Sequence, residues 1–259
     1  MPMNFQGQGR ALSDEGMDRV CSALDVSAAE VWAVLTVETR GFGFFQDRRP
    51  QILFERHVFH RLTQGRHDDG NADISDAKAG GYVGDAGEYA RLEKAMRLDR
   101  KAALQSASWG IGQVMGFNYR LTGHISVNAM VGAMVRSEDA QLLAVANFIK
   151  GSKLARALQR QDWVSFARGY NGPEFKRNDY DLRLAAAHAK YKVTRPDQAL
   201  RTAQVALRYL GIDPGPIDGF RGRRTRSALI QFQGRSGLPE TGELDHDTAR
   251  KLLAQAFSA

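Results

Sequence analysis

Ser27-Ala28-Ala29-Glu30-Val31-Trp32-Ala33-Val34-Leu35-Thr36-Val37-Glu38-Thr39-Arg40-Gly41-Phe42-Gly43 is the stretch from which the rest of the chain reads outward. Ser27 followed three residues later by Glu30 is a capping box, so a helix opens here. It runs to about Glu38, where Thr39-Arg40-Gly41-Phe42-Gly43 stops it. Val31, Leu35 and Glu38 stand four and then three residues apart, within about 60° of one face at about 100° per residue. A carboxylate therefore falls on the apolar side of the last turn. The negative end of the helix and the apolar surroundings both disfavour its ionised form, which raises its pKa. A carboxylic acid still protonated near neutral pH can donate a proton to a glycosidic oxygen. The plainer alternative is a Glu at a frayed helix end, reaching solvent past the glycines.

Helical periodicity dominates outward from this point. It predicts helices over residues 13–24, 55–64, 88–97, 99–106, 127–135, 137–150, 153–159, 161–169 and 175–190. Residues 41–54 carry glycines, a proline and apolar residues, and read as a hairpin or irregular loop. Residues 66–87 are polar and glycine-rich, tightest at Gly80-Gly81-Tyr82-Val83-Gly84, and read as a long loop facing a ligand. Val193-Thr194-Arg195-Pro196-Asp197 reads as a linker. Beyond it, helices over 198–210, 225–234 and 247–256, joined by turn-rich segments, make a small self-contained module. The expectation is a mostly α protein of two domains, residues 1–192 and 193–259.

Composition narrows the class. The 259 residues hold 36 Lys+Arg against 29 Asp+Glu, a net charge of +7, and one Cys. An internal disulfide framework or a multi-Cys zinc finger is excluded. The basic balance favours an anionic partner. No helix-turn-helix, RNP motif or heptad zipper accompanies it, so nucleic acid is not expected. Purely apolar runs fall far short of the ~18 residues of a spanning helix, so stable membrane insertion is not expected either. The run Met1 to Arg10 lacks the charged-then-apolar layout of a Sec signal. His57, His60 and His67 follow no zincin spacing, and Asp68-Asp69-Gly70-Asn71-Ala72-Asp73 lacks EF-hand spacing. No metal or cofactor is expected. Cys21 reads as a small buried apolar residue.

A glycosidase needs a second carboxylate. Asp47 lies beside Arg48 and Arg49, where a simple surface ion pair is the alternative. Glu55 follows the apolar run Ile52-Leu53-Phe54 and precedes Arg56-His57, where an exposed helix start is the alternative.

At this point the chain resembles a known superfamily. Glu38-Thr39-Arg40-Gly41-Phe42-Gly43, Ser108-Trp109-Gly110-Ile111-Gly112-Gln113-Val114-Met115 and Ala167-Arg168-Gly169-Tyr170-Asn171-Gly172 are similar to the motifs of lysozyme-like enzymes and lytic transglycosylases. Ile52-Leu53-Phe54-Glu55-Arg56-His57, Gly87-Glu88-Tyr89-Ala90-Arg91-Leu92, Ala107-Ser108-Trp109-Gly110 and Gly169-Tyr170-Asn171-Gly172-Pro173 resemble, more closely, the phage endolysin N-acetylmuramidase family. The likeness runs from about Ser27 to Tyr191. It implies a lysozyme-like α-helical domain with a small hairpin region. It implies that Glu38 is the general acid and that the β-1,4 bond between N-acetylmuramic acid and N-acetylglucosamine is cut. Glu55 matches the family's second glutamate. It is the first choice for activating water, with Asp47 second. Relatives often carry Ser where Thr39 stands, and the hydroxyl is kept.

Gln113 can hydrogen-bond sugar substituents, Tyr170 offers a ring and a hydroxyl, and Asn171 a donor and an acceptor. Trp109 stacks on sugar or belongs to the core, and Tyr82 lines the cleft or stays in its loop. The C-terminal module resembles the three-helix peptidoglycan-binding domain through Asp213-Pro214-Gly215-Pro216-Ile217-Asp218-Gly219-Phe220-Arg221-Gly222 and Thr225. The resemblance implies bacterial peptidoglycan as partner, with the module holding the enzyme on its insoluble polymer. The further expectations are a monomer, made in the host cytoplasm and reaching the wall after a holin permeabilises the membrane. Two rivals stand beside hydrolysis. One is a lytic transglycosylase forming 1,6-anhydro products, and the other is a non-catalytic wall-binding protein.

Overall fold

The computed structural model describes residues 4–39 and 41–257. Arg40, inside the first motif, lies outside the described residues, as do Met1, Pro2 and Met3 of the N-terminal run. Helix α1 (Asp14–Leu24) is capped by Ser13, whose hydroxyl accepts from the Gly16 N–H at 3.0 Å. Helix α2 (Ala28–Thr39) opens on the expected box: Ser27 N–H donates to Glu30 Oε2 at 3.1 Å, and Ala29 N–H to Ser27 Oγ at 3.2 Å. Ala29, Val31, Trp32, Ala33, Val34, Leu35 and Val37 of α2 are all buried. The helix is apolar on every side rather than along one face, which marks a central core helix.

The sheet is small. Strand β1 (Ile52–Phe54) is followed by α3 (Arg56–Thr63), the long loop, α4 (Glu88–Leu98) and α5 (Arg100–Gln105). Strand β2 (Ala107–Trp109) then pairs antiparallel with β1, placing Ile52 opposite Trp109, and with β3 (Val114–Met115), placing Ser108 opposite Met115. The expected hairpin at 41–54 thus supplies one strand, after a loop closed by a Phe44–Pro50 bridge. The hairpin proper lies at 107–115, where strands of two and three residues are too short to print an alternating pattern.

Helices α6 (Val127–Met134), α7 (Glu138–Gly151), α8 (Ala155–Gln159), α9 (Trp163–Tyr170) and α10 (Tyr180–Val193) complete the first domain. Helix α10 lies on α2 through polar contacts: Tyr191 OH meets Thr36 Oγ1 at 2.8 Å, and His188 Nε2 meets the buried Glu30 at 2.9 Å. Phe5 of the N-terminal segment packs on the rings of Tyr89 and Trp109 at 5.3 and 5.7 Å. Cys21 is half-buried at the rim of this core, and burial pushes its thiol up to about 11.

Helices α11 (Gln198–Tyr209), α12 (Arg223–Arg235) and α13 (His246–Phe257) form the C-terminal module. Its own core holds Ala206, Leu207, Leu229, Phe232 and Leu252. Two buried glutamines staple its turns in parallel fashion. Gln204 accepts from Gly219 N–H at 2.8 Å and donates to Thr225 Oγ1 at 3.1 Å; Gln233 accepts from Gly242 N–H at 2.8 Å and donates to Thr248 Oγ1 at 3.1 Å. The Asp-Gly turn therefore belongs to an internal near-repeat that sequence inspection passed over.

The module is not loosely tethered. Phe42 and Phe44 of the first domain share a buried cluster with Val205 and Ile217 of the module. Arg201 and Glu138, both fully buried, form a two-pronged ion pair at 2.7 and 2.9 Å. Arg201 also donates to the Gly41 carbonyl. Glu138 accepts from the Gly43 N–H and the Leu12 N–H, each at 2.8 Å. Breaking one side of a buried pair strands a charge and costs roughly 3–5 kcal/mol, whereas exposed pairs are worth about 0–1 kcal/mol. Arg201→Met should therefore lower unfolding stability by roughly 3–5 kcal/mol in equilibrium urea denaturation. Arg221→Met, at the exposed pair with Glu243, should cost less than about 1 kcal/mol. Equal losses in the two variants would remove the interdomain pair from its central place.

Candidate active site

Glu38 sits in the last turn of α2 at the edge of the core. Burial pushes its carboxyl up to about 7, while a hydrogen bond from Tyr180 and the charge of Arg183 pull the other way. The Tyr180 hydroxyl donates to Glu38 Oε1. Arg183, one turn along α10, donates to the Val37 carbonyl at 3.1 Å. The acid thus stays partly protonated near pH 7 yet has beside it two groups that favour its anion. Tyr170 lies in the field of Glu38; burial first, and then that carboxylate, push its phenol up. Its hydroxyl donates to the Gly112 carbonyl at 2.8 Å, and its ring stacks on Phe166 at 5.3 Å.

The backbone around Glu38 is fixed by close packing. Thr39 Oγ1 donates to the Ile111 carbonyl at 2.9 Å, which gives the retained hydroxyl its use. Gln141 on α7 accepts from the Ile111 N–H at 2.7 Å and donates to the Met134 carbonyl at 2.8 Å. A Cβ at Gly43 would lie 2.0 Å from the Gln141 oxygen, so only glycine fits there.

A cleft of about 910 Å³ opens beside Glu38. Glu38, Thr39, Gln46, Gln51 and Asp85 line one side, and Arg208, Ile212, Asp213 and Arg224 of the C-terminal module line the other. A smaller cavity of about 250 Å³, lined by Arg221, Arg223 and Leu244, lies wholly within the module.

Glu55 caps the start of α3 at the end of β1. Tyr82 OH donates to its Oε2 at 2.8 Å, and His57 Nδ1 lies 3.2 Å away. Burial and this bond to Glu55 push the Tyr82 phenol up to about 12. The loop that presents Tyr82 is sewn down by the buried Glu88–Arg91 pair at 2.6 Å. Glu88 accepts from the N–H groups of Val83 at 2.7 Å, Gly84 at 3.1 Å and Phe54 at 3.1 Å. Burial opposes its charge, but these donors and Arg91 hold its carboxyl below the usual range. Arg91 in turn donates to the Phe54 carbonyl at 2.9 Å. Glu88 and Arg91 thereby join the Tyr82 loop to the strand end that presents Glu55.

Three expected site residues have other duties. Asp47 binds Arg49 Nε at 2.7 Å and the Arg49 N–H at 3.0 Å, bracing its own turn; like Glu55 and Tyr82, it does not line the cleft. Trp109 is fully buried, with its indole N–H on the Leu104 carbonyl at 3.1 Å, so it is a core residue and no sugar platform. Gln113 closes the β2–β3 turn: it accepts from Ser108 at 2.8 Å and donates to the Gly110 and Gln51 carbonyls at 2.9 and 3.3 Å. Its amide is committed to the hairpin rather than held out to sugar. Asn171 is exposed at the end of α9.

Sequence reasoning missed Tyr180 and Arg183. A signal existed. Tyr180, His188 and Tyr191 recur on the buried face of α10, with the exposed Arg183 beside them, and polar groups facing a core need polar partners opposite.

Comparisons with known proteins fit this geometry. A family model described as N-acetylmuramidase matches residues 27–192, and one described as a putative peptidoglycan-binding domain matches residues 196–252. The crystal structure of the Burkholderia AP3 phage endolysin is similar at 40% identity and a TM-score of 0.66, over 71% of this chain and 72% of that one. The carboxy-terminal processing protease CtpB of Bacillus subtilis (strain 168) is 36% identical over 64 residues, 25% of this chain. This chain spans 13% of that protease's length, so the likeness is to one segment of it. The N-acetylmuramidase match takes in Glu38, Glu55, Tyr170 and Tyr180 together, and the chain belongs to the N-acetylmuramidase family of glycoside hydrolases, with a peptidoglycan-binding domain at its C-terminal end.

Proposed function

We propose that this protein is an endolysin that hydrolyses the β-1,4 bond between N-acetylmuramic acid and N-acetylglucosamine, with Glu38 as general acid. The observation that carries this reading is the Glu38 carboxyl held up to about 7 at the edge of a glycan-sized cleft. Protonated Glu38 gives its proton to the leaving oxygen as the bond to the muramic acid anomeric carbon breaks. Charge then appears on Glu38 while an oxocarbenium-like centre forms on the sugar. The Tyr180 hydroxyl already points at the Glu38 oxygen, so it stabilises the carboxylate at the moment it forms. Water adds to the anomeric carbon and gives its proton to Glu55, whose oxygen is oriented by Tyr82. Asp47, tied up in its own turn, is set aside for this step.

The same reading extends to the setting. The protein acts as a monomer, is made in the host cytoplasm, and reaches the wall once a holin has permeabilised the membrane. No single helix among the described residues is long and apolar enough to cross a membrane by itself.

Mass spectrometry of soluble products from purified peptidoglycan should give reducing muropeptides with the wild type. Glu38→Gln should lose roughly 10²–10⁴-fold in rate while keeping wall binding. Anhydro-muropeptides would instead indicate transglycosylation, in which the muramic acid 6-hydroxyl attacks and Glu55 has no water to activate.

The pH profile offers a second test. A general acid works while protonated, so activity should fall as pH rises through about 7. The Tyr180 hydrogen bond favours the Glu38 anion, so Tyr180→Phe should raise that pKa and move the alkaline limb to higher pH. The rate on the plateau should drop at the same time. A limb that stays in place, or moves down, would contradict the assignment.

A further inference from the structure

The cleft beside Glu38 is shared between the two domains, and its two walls differ in charge. The first domain contributes Glu38, Asp85, Gln46 and Gln51, and among the described residues no cation. Among the described residues, the basic ones that line the cleft, Arg208 and Arg224, both come from the C-terminal module. This wall is held in place rather than swinging on a linker. Arg201, which pairs with Glu138 of α7, lies on the same helix as Arg208, about two turns away. Tyr209, the next residue, donates to the Gly9 carbonyl at 2.7 Å. Ile217 is packed into the cluster with Phe42 and Phe44.

The two arginines are placed differently. Arg208 is half-buried, its guanidinium carbon 5.8 Å from the centre of the Phe42 ring, and among the described residues it has no carboxylate partner within ion-pair distance. Arg224 is exposed at the rim and pairs with Asp213. Asp213 is kept charged by the Gly215 N–H, Arg224 and, more weakly, the charge of Arg208, which hold its carboxyl below the usual range. A cation half-buried against an aromatic ring, facing a carboxyl-bearing cleft and with no carboxylate in direct ion-pair contact, is open to an anion from the ligand.

Peptidoglycan supplies one. Every muramic acid bears a lactyl ether, and most carry from it a short peptide with free carboxylates, which chitin-like strands lack. We propose that the C-terminal module completes the substrate cleft, with Arg208, assisted by Arg224, forming a subsite for the stem-peptide carboxylates carried by the muramic acid. The inference rests on the muramidase reading above and deepens it. The module then selects peptide-bearing strands at the point of cleavage, in addition to holding the enzyme on the wall.

The test uses the full chain and two soluble substrates, stem-bearing glycan fragments and the same fragments stripped of stems by an amidase, with the lactyl carboxylates this exposes converted to amides. The readout is the ratio of kcat/KM for the two, measured from new reducing ends. The wild type should prefer the stem-bearing substrate, and added salt should shrink the preference. Arg208→Gln and Arg224→Gln should each lower the ratio roughly threefold, the scale of one ion contact at a part-exposed site, mainly through KM. Asp213→Asn, which frees Arg224, should raise it. Unfolding midpoints confirm that each variant is folded. A wild-type ratio of one, or ratios unchanged in both arginine variants, overturns the subsite. Product lacking reducing N-acetylmuramic acid ends overturns the muramidase reading instead, so the two failures are told apart.

Discussion

The buried ion pair between Glu138 and Arg201 is the constraint on which the arrangement depends. Glu138 stands in the first turn of α7, where the helix N-terminus favours a carboxylate. Its two oxygens take donors from the N-terminal segment at Leu12, from the loop after α2 at Gly43, and from the module at Arg201. Arg201 returns to the same loop at the Gly41 carbonyl. A fully buried carboxylate must satisfy its lone pairs or lose its charge, so these segments are held at one point by electrostatics that no water can screen. The loop that leaves Glu38 is therefore fixed from behind by both domains.

That anchoring explains how one face of the molecule holds opposed electrostatic demands. Glu38 needs an apolar setting to stay protonated, and α2 supplies it by being buried on all sides. It also needs groups ready for its anion, and α10 supplies these with Tyr180 and Arg183. In the same domain, Glu55 and Tyr82 stand on a strand end and a loop joined by Glu88 and Arg91. Each of the two carboxyl groups is thus carried by one element and oriented by another.

Much of this was legible in the residues. The capping box, the glycine stop and the 3.6-residue spacing located α2 and put Glu38 in its last turn. The Asp-Gly turn and amphipathic helices marked the module. The errors share one cause. Trp109, Gln113 and Asp47 are residue types that suit a sugar site, and local pattern cannot tell whether a polar or aromatic group meets ligand or protein. Trp109 went to the core, Gln113 to a hairpin turn and Asp47 to Arg49.

The sequence by itself determined the helical class and the place of Glu38 in the last turn of α2, because periodicity, caps and turn residues act within a few positions of one another. Only the tertiary structure decided that Tyr180 meets Glu38 across 142 positions and that Arg201 meets Glu138 across 63. It alone decided that the module forms a wall of the cleft. Contacts at such separations follow from how whole helices pack, and packing is a property of the assembled core that no local stretch of chain encodes.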